Sequence, residues 1–87
     1  MNEAQSTTTP LSLTLELLPG SEAALLRVMA TLHRRCCRVT RAEYTAAASG
    51  DRLELSLDAP RAHAHCVPAW LDGLIDVTRV DAISERR

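Results

Sequence analysis

Four short stretches of this 87-residue chain hold side chains whose type and spacing could do chemistry. The first is Pro19-Gly20-Ser21, a tight turn just before an amphipathic stretch, with Glu22 directly after it. A helix starting there presents free backbone N–H groups and positive potential, which suit a carboxylate. Glycine lets a ligand approach the backbone closely. An amino acid carboxylate would fit such a turn, although most turns of this kind only cap a helix. The second stretch, His63-Ala64-His65-Cys66, contains metal-ligand residue types. His63 and Cys66 fall at i and i+3 on one helix face, but His65 points elsewhere and no CxxC or HExxH accompanies them. The third is Cys36-Cys37. No base or CxxC motif marks either thiol as reactive, and Cys36 reads as a small buried residue at a helix end. The fourth is the cluster Arg34, Arg35, Arg38 and Arg41, suited to an anion but more simply read as satisfying a helix C-terminus.

Motifs of the common enzyme classes do not occur. The chain has no P-loop, no GxGxxG and no G-x-S-x-G elbow. Its carboxylates are spread along strand faces and turns, with no pair placed for acid–base work, and read as solvated surface charge. The expectation is a non-enzymatic chain with no catalytic residue, no metal site and no cofactor.

Composition narrows the partners. The net charge is -1, and Trp70 and Tyr44 are the only aromatics. Neither feature suits nucleic acid or an anionic membrane. An odd number of cysteines, two of them adjacent, does not resemble a secreted disulfide framework. The polar start MNEAQSTTTP lacks the apolar segment of a signal peptide. A cytoplasmic location is expected. A domain this small buries only about 60% of its unfolded surface, so self-association or docking on a larger protein is expected too.

The elements that must position these residues follow from periodicity. Residues 1–10 read as a disordered polar tail. Leu11, Leu13, Leu15 and Leu17 alternate with polar residues and predict a strand with one buried face. Leu25, Val28, Met29, Leu32 and Cys36 then recur with helical spacing, leaving Arg27, Thr31, Arg34 and Arg35 off the stripe. The helix is expected from Ser21, a good N-cap, to Arg35. Residues 38–47 read as a strand whose Val39 is out of phase, which predicts a bulge near Thr40. Residues 48–51 make a turn by composition. Leu53, Leu55 and Leu57 mark a third strand and complete a hairpin.

A second helix is expected to open at Asp58-Ala59-Pro60. Its stripe is His63, Cys66, Val67, Trp70, Leu71 and Leu74, with a kink where Pro68 removes a hydrogen bond. Ile75, Val77, Val80 and Ala82 or Ile83 form the last strand, with a phase change between Val77 and Val80. Residues 84–87 form a charged tail, so a single domain spans residues 11–83. The order βαββαβ predicts an α+β, ferredoxin-like sandwich with both helices on one face of an antiparallel sheet, strand order 4-1-3-2. The open sheet face and the edge strands are expected to need cover.

Together these features resemble the ACT domain, a βαββαβ module that senses amino acids. They resemble most the small regulatory subunit of acetolactate (acetohydroxyacid) synthase, of the isozyme II type. The stretches carrying the resemblance are Leu25-Leu26-Arg27-Val28, Arg35 to Val39, Ala46 to Ser49, Pro60-Arg61 and Leu74 to Val77 with Val80 and Ile83. The resemblance implies a non-catalytic subunit that binds and activates the catalytic subunit in valine, leucine and isoleucine biosynthesis. Thiamine diphosphate, Mg²⁺ and FAD would belong to that catalytic subunit. It also implies a homodimer and a branched-chain amino acid effector held by the Gly-containing turn and the start of the second strand. In this chain those positions are Pro19, Gly20, Ser21, Glu22 and Arg38. Arg38 stands where valine-binding relatives carry Asn, and Cys36 where a Gly is usual. Arg38 cannot accept a hydrogen bond from an ammonium group and would repel it, so weak or absent valine sensitivity is expected. Two alternatives remain: a free-standing amino-acid-sensing dimer of ACT type, and a small metal- or thiol-dependent protein built on His63, His65 and the cysteines.

Overall fold

The computed structural model describes residues 7–20 and 22–84. The elements run β1 (Thr8–Leu17), α1 (Glu22–Arg34), β2 (Arg38–Thr45), β3 (Asp51–Pro60), α2 (Val67–Asp72) and β4 (Val77–Ser84), with a 3-10 turn over Arg61–Cys66 leading into α2. One antiparallel sheet of order β2-β3-β1-β4 carries the helices on one face, the ferredoxin-like βαββαβ sandwich that the alternation predicts. Leu11, Leu13 and Leu15 face Leu57, Leu55 and Leu53 across the central pair of strands. All six are buried in the core with Val28, Leu32, Val67 and Leu71.

Several boundaries differ from the periodicity reading. β1 starts at Thr8 rather than Leu11, because β3 continues to Pro60 and gives Thr8 to Pro10 a partner. Ala59 carries the buried alternation of β3 onward, so the expected helix start at residues 58–60 is strand instead. The helical turn after it is 3-10, whose period of three puts Ala64 and Val67 on the core side. His63, expected on the apolar stripe, is exposed. Pro68 sits in the first turn of α2, where a missing N–H costs little, and the expected kink is the junction between the two helix types. Ile75 lies outside β4 and is 68% exposed. Both expected phase changes occur as bulges, one at Thr40 in β2 and one at Thr78 in β4. Residues 1–6 and 85–87, read as tail, and the N-cap assigned to Ser21 lie outside the described residues.

The core-facing side of α1 is Ala24, Val28, Thr31 and Leu32, with Leu25 and Met29 half-buried on one flank. Thr31, expected off the stripe, is therefore inside it. The sheet contacts a narrower strip than the full run of apolar residues, and small Ala24 and Thr31 complete that strip. The helix ends in a Schellman motif. Cys37 N–H donates to the Leu32 carbonyl at 2.9 Å and Cys36 N–H to that of His33 at 3.1 Å. This puts Cys36 in the left-handed region, at φ 63°, and turns it out to solvent while Cys37 takes the buried place. The assignment of Cys36 to the core is thus corrected by one residue. A left-handed residue other than glycine is strained, so Cys36→Gly is expected to stabilise the fold by about 0.5–1 kcal/mol, read as a rise in the urea midpoint. No rise would mean that the turn tolerates the side chain without strain.

The open sheet face is polar. Arg41–Glu43, Arg52–Glu54 and Arg79–Asp81 are exposed ion pairs, each two residues apart on one strand.

Candidate functional site

The β1–α1 turn meets the β2–β3 hairpin at one end of the sheet. Leu17, the last residue of β1, lies opposite Asp51, the first of β3. Gly20 turns the chain with φ 74°, a conformation that favours glycine. Gly50, at φ 147°, lets the hairpin pass close to β1, since a Cβ there would meet the Leu17 carbonyl oxygen at 3.2 Å. These two glycines bring separate loops together around one side chain.

That side chain is Asp51, 3% exposed. Its carboxylate accepts hydrogen bonds from Gly20 N–H at 3.2 Å, from Ala47 N–H at 3.3 Å and from the Tyr44 hydroxyl. One carboxylate thus ties the β1–α1 turn, the end of β2 and the hairpin loop into a single piece. The Tyr44 hydroxyl is pushed up to about 12, first by its hydrogen bond to Asp51, then by desolvation and by the negative charges of Asp51 and Glu22. A folded-state value above the ordinary one of about 10 means that the fold favours the neutral phenol. Stability from this contact is therefore fully present below about pH 10 and is lost as pH rises towards 12. Tyr44 is the sole tyrosine, so the tyrosinate absorbance reads it directly. Its titration is expected at ordinary pH in urea and displaced upward in the folded protein, with coincident curves excluding the contact.

Beside this tie lies an open cleft of about 400 Å³, bounded by Leu18, Pro19, Thr45, Ala47 and Asp51, with Glu16, Arg52 and Thr78 at its rim. It presents backbone from the turn together with one acid and one base from the open sheet face. It has the size and polarity for a small zwitterion or a partner's side chain.

The structure places the sequence-derived candidates unevenly. Pro19 lines the cleft, and Gly20 is tied to Asp51. Glu22 lies in the first turn of α1, exposed, and its charge reaches Tyr44. Arg38 is elsewhere: it pairs with Asp58, seven residues along β3 from Asp51, or roughly 23 Å within one chain. It lines a separate groove with Met29, His33, Cys37 and Val39. By composition Asp51 itself reads only as a turn residue. The signal for it was the strand phase, since Asp51, Leu53, Leu55 and Leu57 share one alternation and hence the buried face.

The remaining candidates do not converge. His63 and His65 are exposed, and His65 Nε2 lies 3.5 Å from Cys66 Sγ. Among the described residues, no three of the types His, Cys, Asp and Glu come together as a metal would need. Burial pushes the Cys37 thiol up, and the charge of Cys36 adds to it, the reverse of what a reactive thiol needs. The arginine cluster is divided. Arg35 lies over the Trp70 ring at 4.7 Å, while Arg41 pairs with Glu43. Among the described residues, no helix is long and apolar enough to cross a membrane.

No family model matches this sequence, and no curated protein matches it. Solved structures do share the fold. The ACT domain of the GTP pyrophosphokinase from Chlorobium tepidum superposes with a TM-score of 0.71 at 8% identity, covering 88% of this chain and 100% of that one. A chain from the complex of the chemotaxis kinase CheA P2 domain with the response regulator CheY of Thermotoga maritima gives 0.72 at 17%, covering 90% and 99%. The C-terminal domain of the MgtC protein from Mycobacterium tuberculosis gives 0.68 at 16%, covering 97% and 94%. At these identities the likeness is one of fold: an ACT-like, ferredoxin-like domain.

Proposed function

We propose that this chain is a non-catalytic regulatory subunit of ACT type, and that its partner is the thiamine-diphosphate-dependent catalytic subunit of an acetolactate synthase. One observation carries the regulatory reading: the Gly20 turn, held by Asp51, opens on a cleft at the sheet end of an ACT-like fold. The sequence resemblance supplies the choice of synthase. Thiamine diphosphate, Mg²⁺ and FAD would reside on the catalytic subunit. The contribution of this chain is to dock there and favour the active conformation. Such a role turns on differential binding of two states and requires no chemistry of its own.

Valine sensitivity is weak or absent in this reading. Within one chain, Arg38 and the Gly20 turn lie at opposite ends of β3. Wherever Arg38 meets an effector, its guanidinium repels the ammonium group and offers it no acceptor. Co-expression with the catalytic subunit, followed by an assay of acetolactate formation with and without valine, tests both parts. Complex formation and stimulation with little valine response are expected. No complex and no stimulation would sink the proposal. Tight binding of valine, leucine or isoleucine to the isolated chain, mapped by NMR to Gly20, would favour the free-standing sensor instead.

A further inference from the structure

We infer that the end of the sandwich where α1 finishes and β3 runs into the 3-10 turn docks an acidic, apolar segment of a partner protein. Among the described residues, Arg27, Arg41, Arg52 and Arg79 are held in ion pairs. Arg34, Arg35, Arg38 and Arg61 are exposed and belong to none. Those four share one end of the fold. α1 finishes at Arg34, β2 starts at Arg38, and Arg61 follows directly on β3. Arg38 pairs across the ladder with Asp58, three residues before Arg61, so the two arginine backbones lie roughly 10 Å apart.

These guanidiniums are not spent on the helix end. The carbonyls of Thr31, Leu32 and His33 accept backbone N–H groups there. Arg35 lies over Trp70, which leaves Arg34, Arg38 and Arg61 without a side-chain partner among the described residues. Asp58 faces Arg38 in register but forms no ion pair with it. Glu16, Glu22 and Asp72 form no ion pair either, and they lie towards the opposite end, where β1 finishes and α1 begins. A net charge of -1 thus hides two poles, one basic and one acidic.

Unpaired guanidiniums suit carboxylates or phosphates, each held by a planar fork of N–H donors. The surroundings favour carboxylates on a protein. Arg61 and His65 border an open groove of about 400 Å³ walled by Leu11, Ala64, Pro68 and Ala82. A segment with apolar side chains beside its carboxylates fills both groove and charges, whereas a phosphate backbone meets only the charges. Neither aromatic ring is free to stack a base: Arg35 lies over Trp70, and Tyr44 is tied to Asp51 at the far end. The acidic pole would also repel a long polyanion lying along the molecule.

The test uses the isolated chain, so it stands or falls apart from the synthase reading. The probe is a labelled peptide of glutamates and leucines at helical spacing, followed by fluorescence anisotropy. The native chain is expected to bind it, and to bind roughly tenfold more weakly as salt is raised to about 0.3 M. Arg34→Glu combined with Arg38→Glu, and Arg61→Glu by itself, should each weaken binding by roughly tenfold or more. Arg79→Glu, on the open sheet face, should leave it unchanged, and circular dichroism checks that every variant stays folded. Serine in place of the leucines should weaken binding by roughly fivefold, because the groove is then left unfilled. Absence of binding would overturn the inference, as would binding indifferent to the three arginines. Tighter binding of duplex DNA or of phosphatidylserine vesicles than of the peptide would overturn it in favour of phosphates. Peptide-free association abolished both by salt and by Asp72→Arg would overturn it in favour of the acidic pole of a second copy.

Discussion

Asp51→Ala is expected to lose about 3 kcal/mol of stability, because it removes the buried acceptor for two backbone N–H groups and a phenol. A domain of this length has a total stability of about 4–13 kcal/mol, so the loss is a large share of it. The urea midpoint should fall while the slope stays the same, since the surface exposed on unfolding hardly changes. Asp51→Asn keeps an acceptor oxygen but gives up the charge, and should fall between native and alanine. Hydrogen exchange supplies the local reading. The Gly20 and Ala47 amides should lose protection in the alanine variant beyond the global effect, because their acceptor is gone. A loss under about 1 kcal/mol, with both amides unchanged, would mean that the turn holds itself without the carboxylate.

Leu15→Ala is expected to be at least as damaging. Leu15 is fully buried at the centre of β1, opposite Leu53 on one side and Val80 on the other. Truncation removes transfer free energy and leaves a cavity in the core layer between the sheet and the helices, at a cost of about 3–5 kcal/mol. At the lower end of the stability range for this length, that loss leaves the variant near half-unfolded. Thermal melts should show a much lower midpoint, with Glu54→Gln on the open face serving as a control within about 0.5 kcal/mol of native. Equal effects of the two changes would contradict the assignment of faces.

Much of this was legible in the sequence because it rests on alternation. The leucines of β1 and β3 specify two central strands, their buried face and their pairing, and two helices with short connections leave one topology. The two bulges were visible as phase errors at Val39 and between Val77 and Val80. What escaped depended on contacts distant in sequence. Pro10 reads as the end of a polar tail and Pro60 as the start of a helix, until the pairings of Pro10 with Asp58 and of Thr8 with Pro60 place both prolines in the ladder at one end of the sheet. His63 looked apolar-facing because a period of 3.6 was assumed where the chain adopts a period of three. The candidate site was half legible. A Pro-Gly turn announces itself, but the residue that fixes it sits 31 positions later. Its acidic type sent it to the surface in a reading by composition, although its phase placed it inside.

The Schellman ending of α1 sets two neighbouring thiols in different worlds, Cys36 in water and Cys37 in the core. An alkylating reagent added to the native protein would therefore label Cys36 at once and the half-buried Cys66 early, while Cys37, the last of the three, waits for the domain to open. The adduct mass recorded over time then becomes a clock for opening. The chain carries its own reporter of kinetic stability, and any ligand or partner that steadies the fold would announce itself by slowing that clock.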